Sequence, residues 1–142
     1  AADVFGIRAP GSSVTGGVLD RDGYAEVARR LMERFGFAMT AITLRRSVSA
    51  SDNDWGAMLY ANGTPFYSRT YNVHIVDRVG GGDSFAAGLI HALLRGETHG
   101  KALEFAVAAS ALKHSVEGDY NLVGAAEVER LAGGDGSGRV QR

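Results

Sequence analysis

Three consecutive glycines, Gly80-Gly81-Gly82, stand between a short β-branched run, Val73 to Val76, and the helically spaced residues Phe85, Leu89, Ala92 and Leu93 that lead to Gly96. No other stretch constrains the chain as much as this order of strand, bare turn and helix. A turn without side chains lets a ligand approach the backbone, and the first amides of a helix have no preceding turn to bond. The helix dipole adds partial positive charge at the same place, so the spacing predicts an anion pocket built from Gly80, Gly81 and Gly82. Asp83 follows at its lip, and two readings fit it. Its carboxylate can accept the proton of a hydroxyl that attacks a phosphoryl group, or it can cap the helix, since aspartate is a favoured N-cap.

The rest of the chain narrows the classes of function. With 142 residues, 45% of them hydrophobic and 22% charged, it is long enough to bury one domain core. A net charge of -1 without long runs of either sign gives no electrostatic footprint for nucleic acid or an anionic membrane. The lack of cysteine excludes disulfides and thiolate metal sites and fits a reducing, cytoplasmic compartment. His74, His91, His99 and His114 lack metal-ligand spacing, and Asp52-Asn53-Asp54 lacks the later glycine and glutamate of a calcium loop, so no metal-binding residue is assigned.

Periodicity predicts the elements. Tyr24, Val27, Ala28, Leu31, Met32 and Phe35 recur at helical steps and Gly36 ends them, whereas Ala1 to Asp20, with Pro10 and several glycines, reads as a loop. Phe37 to Leu44 is an unbroken apolar and β-branched run, expected as a strand covered on both faces of a parallel α/β sheet. Trp55 to Tyr71 reads as a β-hairpin about Asn62-Gly63, with Pro65 starting the second arm or lying at an edge. Lys101 to His114 has the composition of a helix packed on several sides, and Val123 to Leu131 of a short final helix. Gly133 to Arg139 reads as flexible or held by something else.

Asp77-Arg78-Val79-Gly80-Gly81-Gly82-Asp83-Ser84-Phe85-Ala86-Ala87-Gly88 resembles the signature D-T-V-G-A-G-D-x-F-x-x-G of the ribokinase-like (pfkB) carbohydrate kinases, with Arg78 for the usual threonine and Gly81 for the usual alanine. Both departures are familiar in one branch, the 2-keto-3-deoxygluconate kinases. That branch is also resembled by Thr43-Leu44-Arg45 with Ser49-Ala50-Ser51-Asp52-Asn53, by Lys113-His114 with Gly118 to Val123, and by Gly134 to Arg139.

The resemblance implies a ribokinase-like three-layer αβα fold, of which residues 1–142 would be the C-terminal, nucleotide-binding part of a mostly parallel sheet with a β-hairpin. It implies ATP and Mg2+ as cofactors, a sugar acid as acceptor, Asp83 as catalytic base, and the amides of Gly80, Gly81, Gly82 and Asp83 as the anion hole. Asp77 would lie near the sugar or a monovalent cation. Thr43, Arg45, Arg46 and Ser47 would meet the nucleotide phosphates; arginine grips a phosphate bidentately, although a solvated pair on a loop explains Arg45 and Arg46 equally well. The face from Ala106 to Lys113, with Ala109, would wall the adenine pocket, and apolar packing predicts the same alanines. The sugar-binding and lid part of the family has no counterpart here. The expectation is therefore a fragment that self-associates through an uncovered strand edge and apolar face, phosphorylates no sugar alone and binds ATP weakly at most. Alternatives are another sugar kinase of the family, fructokinase- or ribokinase-like, and a nucleotide-binding module without catalysis.

Overall fold

The computed structural model describes residues 2–7 and 21–134, which form α1 (Ala2–Phe5), α2 (Arg21–Phe35), β1 (Met39–Ser47), β2 (Asp52–Ala61), β3 (Thr64–Tyr67), β4 (Tyr71–His74), α3 (Gly81–Leu94), α4 (His99–Lys113) and α5 (Ala125–Ala132). The expected opening loop thus contains a one-turn helix. Its Pro10 and the glycines that follow, like Asp135 to Arg139 at the other end, lie outside the described residues.

Strand β2 is the spine of the sheet. β1 pairs antiparallel along its whole length on one side, while β3 and β4 share the other side. All three pairings are antiparallel, where helix followed by buried strand had pointed to parallel neighbours. The reason is connection length: residues 48–51, 62–63 and 68–70 are too few for the crossover that a parallel pair requires. Asn62 and Gly63, with φ of 51° and 75°, make the expected hairpin turn, and Pro65 lies in β3 at the sheet edge. Between β3 and β4 the chain steps away from β2. Ser68 fills the gap: its Oγ accepts from the Ala57 amide at 2.9 Å, and its own amide donates to the Ala57 carbonyl at 3.0 Å.

Alternation along β2 divides the core between the two faces. Trp55, Ala57 and Leu59 point to one face and pack with α3, α4 and α5, whereas Met58 joins Leu44 and Ala28 of α2 on the other. The result is α2, sheet, and the three C-terminal helices as successive layers. Coverage is uneven. α2 buries only Gly23 and Ala28, and β1 buries only Leu44, so β1 is an edge strand with Phe37 and Val48 exposed beside it rather than the doubly covered strand its composition predicted. α4 is the opposite case: every residue from Ala106 to Lys113 is buried, as its all-round apolar composition predicted. Gly88 lets α3 close on it, since a Cβ at Gly88 would lie 3.0 Å from the Ala106 Cα and 3.2 Å from the Ala109 Cβ.

Candidate functional site

The chain leaves β4 at His74 and is caught at once by the end of α4. The amides of Val76 and Asp77 both donate to the His114 carbonyl, at 2.8 and 3.3 Å. Asp77 then folds the following turn around its carboxylate: Oδ1 accepts from the Val79 amide at 3.0 Å and Oδ2 from the Gly118 amide at 2.9 Å. Those two amides, the Val79 one first, hold the Asp77 carboxyl below the usual carboxylate range, and the nearby charge of Lys113 adds to the effect.

Gly80 is the N-cap of α3, in the left-handed region at φ 78° and ψ -3°. The position is closed to side chains for a second reason, because a Cβ there would sit 2.4 Å from the Asp119 carbonyl oxygen. Gly81, Gly82 and Asp83 form the first turn of the helix. The Gly81 amide is spent on the Arg78 carbonyl at 3.2 Å, so of the glycine-turn amides expected to be open this one is not. The amides of Gly82 and Asp83 take no acceptor among the described residues and remain available to an anion.

Asp83 does not cap the helix. The cap is Gly80, without any side-chain cap bond, and Asp83 lies three residues further on. Its carboxylate is exposed and takes part in no hydrogen bond or ion pair among the described residues. These residues therefore build the floor of a site and leave its top open. A cavity of about 440 Å³, with His91, Arg95, Phe105 and Glu129 in its lining, lies elsewhere, between α3, α4 and α5.

Beneath the turn lies the end of α4, whose Lys113 and His114 were expected as part of an adenine wall and of a family resemblance, and whose Ser110 no signal in the sequence singled out. Ser110, fully buried, donates from Oγ to the Gly81 carbonyl at 2.7 Å. His114 donates from Nδ1 to the Ser110 carbonyl at 2.7 Å, packs against Trp55 with ring centroids 4.7 Å apart, and lies under Gly81. A Cβ on Gly81 would be 2.8 Å from its Cε1 and 3.0 Å from its Nε2. Burial pushes the His114 pKa down against the raising effect of its Ser110 bond, and the positive charges of Lys113, Arg78 and Arg45 push it further. A neutral ring results, with Nε2 unprotonated.

The strand residues expected to meet a nucleotide divide between faces. Arg45 opposes Trp55, and Thr43 opposes Ala57, so both belong to the face of the glycine turn; Ser47 follows on that face, its Oγ bonded to the Ser49 carbonyl at 3.2 Å. Arg46 points the other way and is ion-paired with Asp54, its Nε 2.8 Å from Oδ2. It is thus removed from the turn because strand alternation separates it from Arg45. Arg78, noticed before only as a departure from a signature, donates from Nη2 to the Ala50 carbonyl at 3.1 Å and ties the glycine turn to the loop after β1. Two α4 residues are also placed differently from expectation. Ala109 is packed against Gly88, and its carbonyl accepts from Asn121, so it is helix contact rather than an open wall. Lys113 is fully buried and donates to the Val116 carbonyl at 3.1 Å, so its amine is turned inward. Across the strand pair from Arg45 and Ser47, the side-chain Nδ2 and Oδ1 of Asn53 and the Trp55 Nε1 are buried without a partner among the described residues, the kind of atoms that ordered water satisfies.

Among the described residues no helix is long and apolar enough to cross a membrane, and no group of three or more His, Asp or Glu is placed to hold a metal.

The model of the pfkB family carbohydrate kinases matches residues 45–125, which include β2, the glycine turn and α4. A 2-dehydro-3-deoxygalactonokinase of Haloferax volcanii is 34% identical over 120 residues, covering 83% of this chain and 35% of that protein. The crystal structure of a 2-dehydro-3-deoxygluconokinase of Thermotoga maritima is similar at a TM-score of 0.79 with 46% identity, over 87% of this chain and 37% of that one. A pfkB family carbohydrate kinase of Listeria grayi gives a TM-score of 0.73 with 29% identity over the same shares. The chain thus spans little more than a third of the length of these relatives, and its three layers are part of a ribokinase-like fold. It belongs to the pfkB family of carbohydrate kinases.

Proposed function

We propose that the protein carrying this segment is an ATP-dependent kinase for a 2-keto-3-deoxy sugar acid, with 2-keto-3-deoxygluconate as the acceptor. The observation that carries the reading is the first turn of α3, where left-handed Gly80 leaves the Gly82 and Asp83 amides without acceptors beside an uncommitted carboxylate. Such amides stabilise charge on the three equatorial oxygens of a phosphoryl group in flight. Asp83 takes the proton of the acceptor hydroxyl as its oxygen forms a bond to the γ-phosphorus. The bond from that phosphorus to the β–γ bridging oxygen breaks, and ADP leaves with the electron pair. Arg45, on the same face, supplies a cation for the nucleotide phosphates. Magnesium, which neutralises phosphate charge in such transfers, fits as an ion carried by the nucleotide, because this hard cation keeps most of its waters and needs few protein ligands. The names of the two kinase relatives from Haloferax and Thermotoga support the choice of acceptor class over fructokinase- or ribokinase-like alternatives.

The test is Asp83→Asn in the intact kinase. Loss of a general base lowers turnover by roughly 10²–10⁴-fold, with ATP affinity kept. A rate within tenfold of the parent removes Asp83 from the base role, and a substrate panel that prefers a neutral hexose removes the sugar acid.

A further inference from the structure

Lys113 is the charged side chain that the described fold buries completely. Removing an ammonium from water is costly, and a methionine of similar volume would pack in its place without that cost. The hydrogen bonding does not explain the choice. Nζ has three protons to donate and gives one to the Val116 carbonyl at 3.1 Å, and no other acceptor takes one among the described residues. The position does explain it. The Lys113 Cε lies 3.2 Å from where a Cβ on Gly80 would be, so the stem runs beneath the N-cap of α3. The Asp119 carbonyl oxygen crowds the same point, and Asp77, which braces the turn through Val79 and Gly118, feels the Lys113 charge. A positive charge therefore sits inside the protein behind the turn whose forward side offers the Gly82 and Asp83 amides. Buried charge is screened by salt far less than an exposed arginine at the rim.

We infer that Lys113 is the internal counter-charge of the phosphoryl site, a positioning residue whose ammonium touches no ligand but raises the anion affinity of the Gly82 and Asp83 amides from beneath Gly80. This rests on the reading of the turn as a phosphoryl cradle. It also replaces the expectation that Lys113 meets the nucleotide directly.

The experiment is a titration of the intact ¹⁵N-labelled kinase with inorganic tripolyphosphate at pH 7, followed at the Gly82 and Asp83 amide signals. The wild-type chain is expected to show saturable shifts, and Lys113→Met a dissociation constant at least tenfold weaker. A purely structural lysine would lower the melting temperature of the variant and leave the affinity of its folded fraction unchanged. Equal affinity in the two chains overturns the inference and leaves the cradle standing. Absence of shifts in the wild type overturns the cradle and this inference with it. Should Lys113→Met not fold, the side-chain nitrogen signal of Lys113 in the wild type decides: the inference requires a protonated ammonium whose signal moves with tripolyphosphate, and a neutral amine or an unmoved signal overturns it.

Discussion

Gly81→Ala installs the residue most common at this place in the family signature, and here it is expected to destabilise the protein. Its backbone tolerates alanine, since the residue lies in the first turn of α3 and has no positive φ. Replacing a helical glycine by alanine would by itself stabilise by up to about 1 kcal/mol. Against that stands His114, whose Cε1 would be 2.8 Å from the new methyl. The ring cannot swing aside cheaply, being 3% exposed, bonded through Nδ1 to the Ser110 carbonyl and packed on Trp55. Overpacking of this kind costs about 1–3 kcal/mol, and moving the ring would also break a buried hydrogen bond worth about 1 kcal/mol. The net expectation is a loss of about 2 kcal/mol, or roughly 6–10 °C in Tm for a chain of this size. A double-mutant cycle with His114→Ala isolates the cause. Without the ring, Gly81→Ala should be neutral or stabilising, which gives a coupling of about 2 kcal/mol from urea unfolding. Equal costs of Gly81→Ala in both backgrounds would refute the argument, because the clash with His114 would then not be its source.

Two further outcomes follow from the same residues. His114 is held neutral in the folded chain with its pKa below 6.5, so the unfolded chain binds the proton first. The His114 contribution to stability should be level above pH 6.5 and decline as the pH falls below it, until the lowered native value is reached. Glu26, Asp52, Asp54 and Asp77 are shifted down from 4.5 or 3.8, so their contributions are lost only in more acid solution. Denaturant melts between pH 7 and 5 should show the slope, and His114→Gln should abolish it; an unchanged slope in the variant would rule the ring out. Arg78→Thr restores the usual family residue and removes the bond to the Ala50 carbonyl, an exposed contact worth about 1 kcal/mol or less. Tm should move little, while tripolyphosphate binding weakens most at low salt, where an exposed charge acts furthest; binding unaffected at low salt would exclude Arg78 from the site.

Much of the fold was legible because its signals are local. Asn62-Gly63 demands positive φ at consecutive residues, the helical spacing from Tyr24 to Phe35 ends at Gly36, and the alanines of α4 match a helix buried on every side. Strand orientation and cover were not local. Phe37 to Leu44 has the composition of an interior strand, yet cover depends on what stands beside it, and β1 has a strand on one side only among the described residues. Arg45 and Arg46 illustrate the same limit at the site. As neighbours in sequence they looked equivalent, and the pleat sends one toward the turn and the other to Asp54.

The glycine turn announced itself through Gly80 to Asp83, but the way it is supported did not: Lys113 and His114 stood out only as an adenine wall and a family resemblance, and Ser110 not at all, because all three reach the turn from some 30 residues away across the interface of α3 and α4. One signal of them was present all the same. Gly81 departs from the alanine of the signature, and the structure gives a volume reason: the imidazole of His114 occupies the space that a methyl would need. Arg78 departs from threonine, and it is the residue that ties the turn to the loop at Ala50. Both departures are thus matched by a named neighbour, so each substitution in the turn is half of a contact whose other half lies on a different element. Restoring alanine at position 81 should consequently fail to improve this chain unless His114 is changed as well.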